Sequence, residues 1–342
     1  MAPKVTVLMS VYNGEQYLSE AIESILHQTF SDFEFIIVDD GSVDSTWDLL
    51  TLYRAQDSRI VLLRNGENLG IPRSTNKGLT RARGKYIART DADDVSLPER
   101  LARQVSFLEE HPDVGVLGGA VQIIDGAGNA SDIWRFPAEH GVLRWRLCFG
   151  NPIMHSTVMM RREVVNRVNG YDVEMEVALD YDLWRRLSSV TRLANLQDVL
   201  LCLRRHEDSL TSKRFPQQRD NSIKISQVGI AEILGQDVPL EVVQRLWAQQ
   251  FETSSGLLQV ARLIYRLCQA TVTHSALSTD EKRAIRRDAA NRLFRLARPR
   301  IRDARVWEVF GLACRLDPSL VVRVARGLPH RIVRRWVSSR PR

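Results

Sequence analysis

The chain has 342 residues, 44% of them hydrophobic and 26% charged, with a formal net charge of +7. That length suffices for two domains with proper cores, and the composition excludes a fibrous, disordered or membrane-spanning chain, since no apolar run approaches the roughly 18 residues of a span. Met1-Ala2-Pro3-Lys4 leads straight into a strand with no room for a secretory signal, and Cys148, Cys202, Cys268 and Cys314 lie far apart without a CxxC pair, so neither a zinc site nor a disulfide framework is expected and a reducing cytoplasm is.

Residues 5–9 are almost wholly apolar and predict a buried strand. A polar turn at Tyr12-Asn13-Gly14-Glu15 follows; then Leu18, Ala21, Ile22, Ile25 and Leu26 recur at spacings of three and four, one face of a helix. A second buried strand over 34–38 ends at Asp39-Asp40-Gly41-Ser42. The pattern repeats with a helix over 44–54 (Trp47 and Leu50 inward), a strand over 60–63, a helix over 73–83 and a strand over 85–89. Such alternation predicts an α/β fold with a mostly parallel sheet and helices on both faces. Ligands of these sheets gather beyond the carboxyl ends of the strands, where Asp39, Asp40, Asp91 and Asp93 all fall.

Asp91, Asp93 and Asp94 put three carboxylates into four residues directly after a strand. Their mutual repulsion calls for a positive partner, and a divalent cation whose shell is completed by a diphosphate meets that need. A polar turn with Asp as a helix cap is the simpler use of one Asp-x-Asp. No GxGxxG follows the first strand and no GxxxxGK[ST] occurs, so a nucleotide here has to be held by carboxylates, metal and loop backbone.

Taken in order, Pro3-Lys4-Val5-Thr6-Val7-Leu8-Met9-Ser10-Val11-Tyr12-Asn13, Asp39-Asp40-Gly41-Ser42, Asn68-Leu69-Gly70 with Arg73 and Asn76, and Asp91-Ala92-Asp93-Asp94 before Pro98 resemble the successive motifs of family 2 glycosyltransferases, inverting metal-dependent enzymes of the GT-A (Rossmann-like) fold. The resemblance covers roughly the first 210 residues and implies a catalytic domain over 1–214 with a nucleotide-diphospho-sugar as donor. It implies that Asp40 accepts a hydrogen bond from the donor base, and that Asp39 shapes the same pocket or caps the turn that follows. Arg73 meets phosphate oxygens, or is an ordinary surface arginine. Asp93 binds the Mg²⁺ or Mn²⁺ that bridges the diphosphate, and Asp91 contacts that metal or the ribose. Ser10 stands where the family often has proline.

Leu101, Val105 and Leu108 then mark a helix that begins near Pro98 and that His111-Pro112 ends, and residues 114–119 predict another strand. Residues 151–159 resemble the family's acceptor-side strand, where His155 lines the acceptor site or serves as a structural hydrogen-bonding histidine. Residues 179–187 resemble the catalytic-base motif, normally Glu-Asp ahead of an apolar helix. Leu179 replaces the Glu, Asp180 keeps the matching position, and Leu183, Trp184 and Leu187 supply the buried face. By chemistry alone Asp180 is an N-cap and Asp182 a first-turn acid favoured by the helix dipole; the ordered motifs make Asp180 the base. Residues 204–211 resemble the closing segment, whose His206 reaches metal or diphosphate and whose Ser209 caps a turn or touches phosphate. The absence of Gln-x-x-Arg-Trp speaks against a processive synthase.

From Phe215 the sequence turns helical and arginine-rich, so 215–342 read as a separate helical region with helices over 240–250, 257–270 and 279–296. Residues 281–342 hold 18 Lys/Arg against 5 Asp/Glu, an arm of +13 behind a body of about −6. The mixture of arginine and aliphatic residues over 320–337, with Trp336, suits an interfacial helix on an anionic membrane surface; a solvated bundle packed on the catalytic domain suits it equally. No motif supports a nucleic-acid partner. The expectation is a cytoplasmic enzyme, peripheral on the inner membrane face, that moves a sugar to a glycan or lipid-linked hydroxyl in surface-polysaccharide or glycolipid assembly. A nucleotidyltransferase needs a glycine-rich cationic phosphate loop, which 12–15 is not, and a catalytically silent family member is favoured by Leu179 alone.

Overall fold

The computed structural model describes residues 2–206, 214–249, 251, 253–273, 276–298 and 305–320. It divides into two compact units, one through Ser222 and one from Ile223. The first unit alternates β1 (Val5–Val11), α1 (Leu18–Leu26), β2 (Phe33–Asp39), α2 (Thr46–Gln56), β3 (Ile60–Arg64), α3 (Ile71–Arg81) and β4 (Tyr86–Arg89). β5 (Val95–Ser96), α4 (Arg100–Glu110), β6 (Val114–Ile124), β7 (Ala130–Trp134) and α5 (His140–Arg146) follow. β8 (Met159–Arg161), α6 (Arg162–Arg167), α7 (Leu179–Leu187) and β9 (Arg192–Arg204) complete its sheet.

The strands lie in the order β3-β2-β1-β4-β8-β6-β9-β5, with β7 paired to β6. The first four are parallel: Val5 of β1 sits opposite Phe33 of β2 and Tyr86 of β4, so the carboxyl ends of these strands share one edge. β8 then runs antiparallel between β4 and β6, while β6 and β9 are parallel to each other. The apolar run of β1 is buried on both faces. Val5, Val7 and Met9 join a core with Leu18, Ile22 and Ile25 of α1 and Leu101 of α4. Leu8 points the other way, onto α3, where Gly78 gives the helix room to lie against Leu8 and Val38.

Two local expectations shift. The helix read from 73 starts at Ile71, because Pro72 fits a first turn whose N–H groups need no intrahelical partner. The acceptor-side segment 151–159 is extended only from Met159; His155–Thr157 form a 3₁₀ turn. The Thr157 hydroxyl and N–H both donate to Met154 O, at 2.7 and 3.1 Å, a local alternative to strand pairing.

The second unit is helical. α8 (Phe215–Leu234) contains the division between the units, and α9 (Leu240–Ala248), α10 (Ser254–Val272), α11 (Thr279–Ala297) and α12 (Val306–Leu316) follow. Leu257, Val260, Ile264 and Leu267 of α10, Ile285, Ala289 and Leu293 of α11, and Val309 and Ala313 of α12 are buried. Ser278 and Glu281 form a reciprocal capping box that satisfies two orphan N–H groups at the start of α11. No helix among the described residues is long and apolar enough to cross a membrane. Ser209 and the membrane-surface reading of the tail from residue 321 fall outside the described residues.

Candidate active site

The carboxyl end of β2 carries Asp39 and Asp40, both buried. Asp39 Oδ1 accepts from Ser42 N at 3.1 Å, and its Oδ2 lies 3.0 Å from Arg64 Nε. The Arg64 guanidinium also covers the Trp47 ring, 4.6 Å from its centroid. Asp40 works as a hub. Its Oδ1 accepts from Asn65 Nδ2 at 2.7 Å and Leu69 N at 2.9 Å, and its Oδ2 from Gly70 N at 2.9 Å. A carboxylate has about four acceptor sites, so this loop occupies most of them. Asn65 Nδ2 also donates to Ser74 Oγ at 2.7 Å, which ties the hub to the first turn of α3. Arg73, on the same turn, is exposed and stands 3.5 Å from Glu174 Oε1.

Beyond β4 two arginines, Arg89 and Arg204, hold the acidic run, and a third, Arg100, backs Arg89. Arg89 is 1% exposed and its Nη2 lies 2.7 Å from Asp91 Oδ1. Arg100, equally buried, donates to Arg89 O at 2.5 Å and to Ser96 Oγ at 2.9 Å, and burial lowers its pKa to about 10. Arg204 donates from its backbone to Asp94 Oδ1 at 2.9 Å, from Nε to Asp93 O at 3.0 Å and from Nη2 to Glu20 Oε2 at 2.5 Å. Burial works against every charge here. For Asp91 the Arg89 guanidinium, with the Arg100 charge, more than offsets it and the pKa falls. For Asp93 burial and the Asp91 charge outweigh His206, and for Asp94 burial with both neighbouring charges pushes the carboxyl well up.

Asp93 Oδ2 is 3.0 Å from His206 Nε2, and the His206 ring packs 5.1 Å from the Tyr17 ring. Among the described residues no three His, Cys, Asp or Glu side chains converge as a metal site. One carboxylate oxygen and one imidazole nitrogen side by side fit a divalent cation that takes its remaining ligands from a diphosphate and water.

His155, Tyr171 and Asp180 form a third group. His155 Nε2 is 2.8 Å from the Tyr171 hydroxyl, with the Tyr171 and Trp184 rings edge-on to it. Burial, helped by the Arg89 charge, pushes His155 down to about 3, so the imidazole is neutral near pH 7. Asp180 is the second residue of α7, which starts from Ala178 in the left-handed region (φ 59°). Its carboxylate accepts from Asn151 Nδ2 at 2.6 Å and from Tyr181 N at 2.8 Å, and no cation among the described residues pairs with it. Burial, with some help from the Asp91 charge, pushes Asp180 up to about 6. Two residues on, Asp182 is fully engaged, 3.0 Å from Arg185 Nη2 and 2.7 Å from Arg186 Nε. Leu179, which replaces the family's Glu, is buried at the helix start.

Asp91 is felt electrostatically at His155, Tyr171 and Asp180, so these groups belong to one neighbourhood at the carboxyl edge. Arg89, Arg100, Arg204, Tyr171 and Asn151 were not singled out from the sequence. For Arg89 a signal existed: a charged residue closing an otherwise apolar strand needs an internal counter-charge.

Residues 6–168 match the model of glycosyl transferase family 2. EpsE of Bacillus subtilis (strain 168) is 37% identical over 230 residues, 66% of this chain and 81% of the relative. This chain belongs to glycosyl transferase family 2. Other relatives of the glycosyltransferase include the amylovoran biosynthesis glycosyltransferase AmsE of Erwinia amylovora, 32% identical over 61% of this chain and 79% of that one. The O-antigen biosynthesis glycosyltransferase WbnJ of Escherichia coli is also 32% identical, over 60% and 81%. Among solved structures, S. aureus TarS 1-349 in complex with UDP-GlcNAc superposes with a TM-score of 0.57 at 19% identity, over 96% of this chain and 93% of that one. The mannosyltransferase PcManGT of Pyrobaculum calidifontis, in complex with GDP-Man and Mn²⁺, gives 0.53 at 18% identity, over 95% and 88%. At these identities the structures establish the shared GT-A fold alone.

Proposed function

We propose that this glycosyltransferase inverts the anomeric centre of a nucleotide-diphospho-sugar by transfer to a glycan or lipid-linked hydroxyl, with Asp180 as the base. The observation that carries the reading is the state of Asp180. It is held by two neutral donors, with no cation among the described residues, and poised at about 6, whereas Asp182 beside it is neutralised by two arginines. A base works best with a pKa near the operating pH, and an ordinary carboxylate near 4 is too weak.

Asn151 orients Asp180 Oδ2 toward the acceptor hydroxyl, and Asp180 takes its proton as the oxygen attacks the anomeric carbon in line with the departing diphosphate. Neutral His155 hydrogen-bonds the acceptor. Asp39 and Asp40 shape the nucleotide pocket, and Asp93 with His206 would hold Mg²⁺ or Mn²⁺, Asp91 lying beside them on Arg89. When bound, that cation supplies positive charge to the diphosphate leaving group. No covalent glycosyl-enzyme is needed. PcManGT, bound to GDP-Man and Mn²⁺, supports the donor class and the metal, and AmsE and WbnJ support a role in surface-polysaccharide assembly.

The test is a panel of UDP- and GDP-sugars assayed in Mn²⁺, in Mg²⁺ and in chelator, with the product anomer read by NMR. An α-linked donor must give a β-linked product, and only with divalent metal. Retention of configuration, or equal turnover in chelator, refutes the reading.

A further inference from the structure

We propose that Asn76 is a positioning residue for sugar transfer, acting through the turn 168–171 to tie the nucleotide-side helix α3 to the base-carrying helix α7. α3 is fixed at its start to the Asp40 hub, through Leu69 N, Gly70 N and the Ser74–Asn65 contact. Two residues further along, Asn76 grips the backbone of Tyr171 on both sides: its Nδ2 donates to Tyr171 O at 2.7 Å and its Oδ1 accepts from Tyr171 N at 2.9 Å. An amide donates from its nitrogen while its oxygen accepts, so neither aspartate nor leucine reproduces the grip.

The turn itself is shaped for this hold. Gly170 has φ +66°, and a Cβ there would stand 2.6 Å from Asn76 Oδ1, so glycine serves both the left-handed turn and the close approach. From the opposite side α7 holds the same turn. Arg186 Nη1 donates to Val168 O at 2.7 Å and Nη2 to Gly170 O at 2.9 Å, while its Nε stays on Asp182. The turn is therefore a crossbar with one end on α3 and the other on α7, whose first turn carries Asp180.

The crossbar also reaches the acceptor. The Tyr171 hydroxyl that contacts His155 Nε2 is buried, and burial pushes its pKa up, so it keeps its proton. That hydroxyl fixes which ring nitrogen of His155 faces the acceptor. Asn76 thus stands between the donor pocket and both acceptor-side groups, touching no reacting atom.

The inference rests on the proposed transfer with Asp180 as base, so the experiment separates the two. The full chain is assayed with whichever of UDP-GlcNAc and GDP-mannose the wild type turns over, nucleotide affinity is read by calorimetry with UDP or GDP in Mn²⁺, and every variant is assayed below its own Tm. If Asp180→Asn keeps wild-type turnover, the base reading fails, and the inference with it. If Asp180→Asn is inactive, Asn76→Ala should lose about tenfold or more in kcat while nucleotide Kd stays within about threefold. Tyr171→Phe keeps the ring and both Asn76 contacts, and should lower kcat similarly with little change in Tm. Both act through one element, so the double variant should lie within about twofold of the weaker single variant. Should Asn76→Ala not fold, Asn76→Asp, which keeps the size of the side chain and loses the donor to Tyr171 O, is held to the same limits in its place. Wild-type kcat in either folded variant, parallel losses in kcat and nucleotide affinity, or fully multiplicative effects in the double variant each overturn the inference with the base reading intact.

Discussion

At the end of β2, Asp40 accepts three hydrogen bonds from Asn65, Leu69 and Gly70. At the start of α7, Asp180 has two neutral donors and a pKa pushed up to about 6. The residue type is the same and the energetic sense is opposite. At the end of β2 a carboxylate is satisfied and organises a loop; at the start of α7 one has no cation among the described residues and is left wanting a proton. A site that must seize a proton carries a local cost in stability, while the pocket that must hold its shape does not.

Removing the carboxylate proposed to hold the metal is the most damaging way to disturb this division. Asp93→Ala should bring turnover below detection and weaken nucleotide-diphosphate binding in Mn²⁺, with far-UV circular dichroism unchanged; undiminished turnover contradicts its role. Asp40→Asn sharpens the contrast through stability. An amide turns one acceptor toward N–H groups as a donor, so unfolding by denaturant should show a loss of about 2 kcal/mol. A neutral result would mean that the hub is not what fixes the loop.

Asp180→Asn should move stability the other way. Its folded-state pKa lies above the unfolded value, so the native state binds more protons between about 4 and 6. The carboxyl therefore favours folding below about 4 and loses that contribution as pH rises through about 6, the reverse of a salt-bridged aspartate. At pH 7 Asp180→Asn should thus be more stable than wild type, by on the order of 1 kcal/mol, and the gain should vanish near pH 4. Denaturant unfolding at the two pH values reads this directly; a gain that is the same at both removes the raised pKa as its cause.

Much of this contrast was legible in the residues. The parallel half of the sheet follows from apolar runs alternating with helical faces, and once the strands are parallel, Asp39, Asp40, Asp91 and Asp93 must crowd one edge. The antiparallel insertion of β8 was not legible, because a three-residue strand after a 3₁₀ turn is defined by distant partners rather than by its own pattern. Asp180 and Asp182 look alike in sequence as first-turn acids. A signal did separate them: Arg185 and Arg186 stand three and four residues after Asp182, the spacing at which helical side chains pair. The arginine stitches beneath Asp91 and Asp93 needed the fold, since Arg100 and Arg204 come to the acidic run from α4 and the end of β9.

The smallest effect is expected from the basic arm. With +13 over residues 281–342, the protein should float with anionic vesicles at low salt and be released at high salt, each cation near the surface contributing about 1 kcal/mol. Deleting residues from Asp317 onward should weaken flotation and leave nucleotide binding intact. Equal flotation with neutral and anionic vesicles contradicts the membrane-surface reading.

The central claim is that α7 presents one base and one structural acid two residues apart. Steady-state kcat of Asp180→Asn and Asp182→Asn, at saturating donor and with nucleotide affinity checked for each, tests it most directly. Asp180→Asn should fall by on the order of 10² or more with affinity retained, and Asp182→Asn by no more than about threefold. Equal losses in the two variants, or the larger loss in Asp182→Asn, would contradict the account.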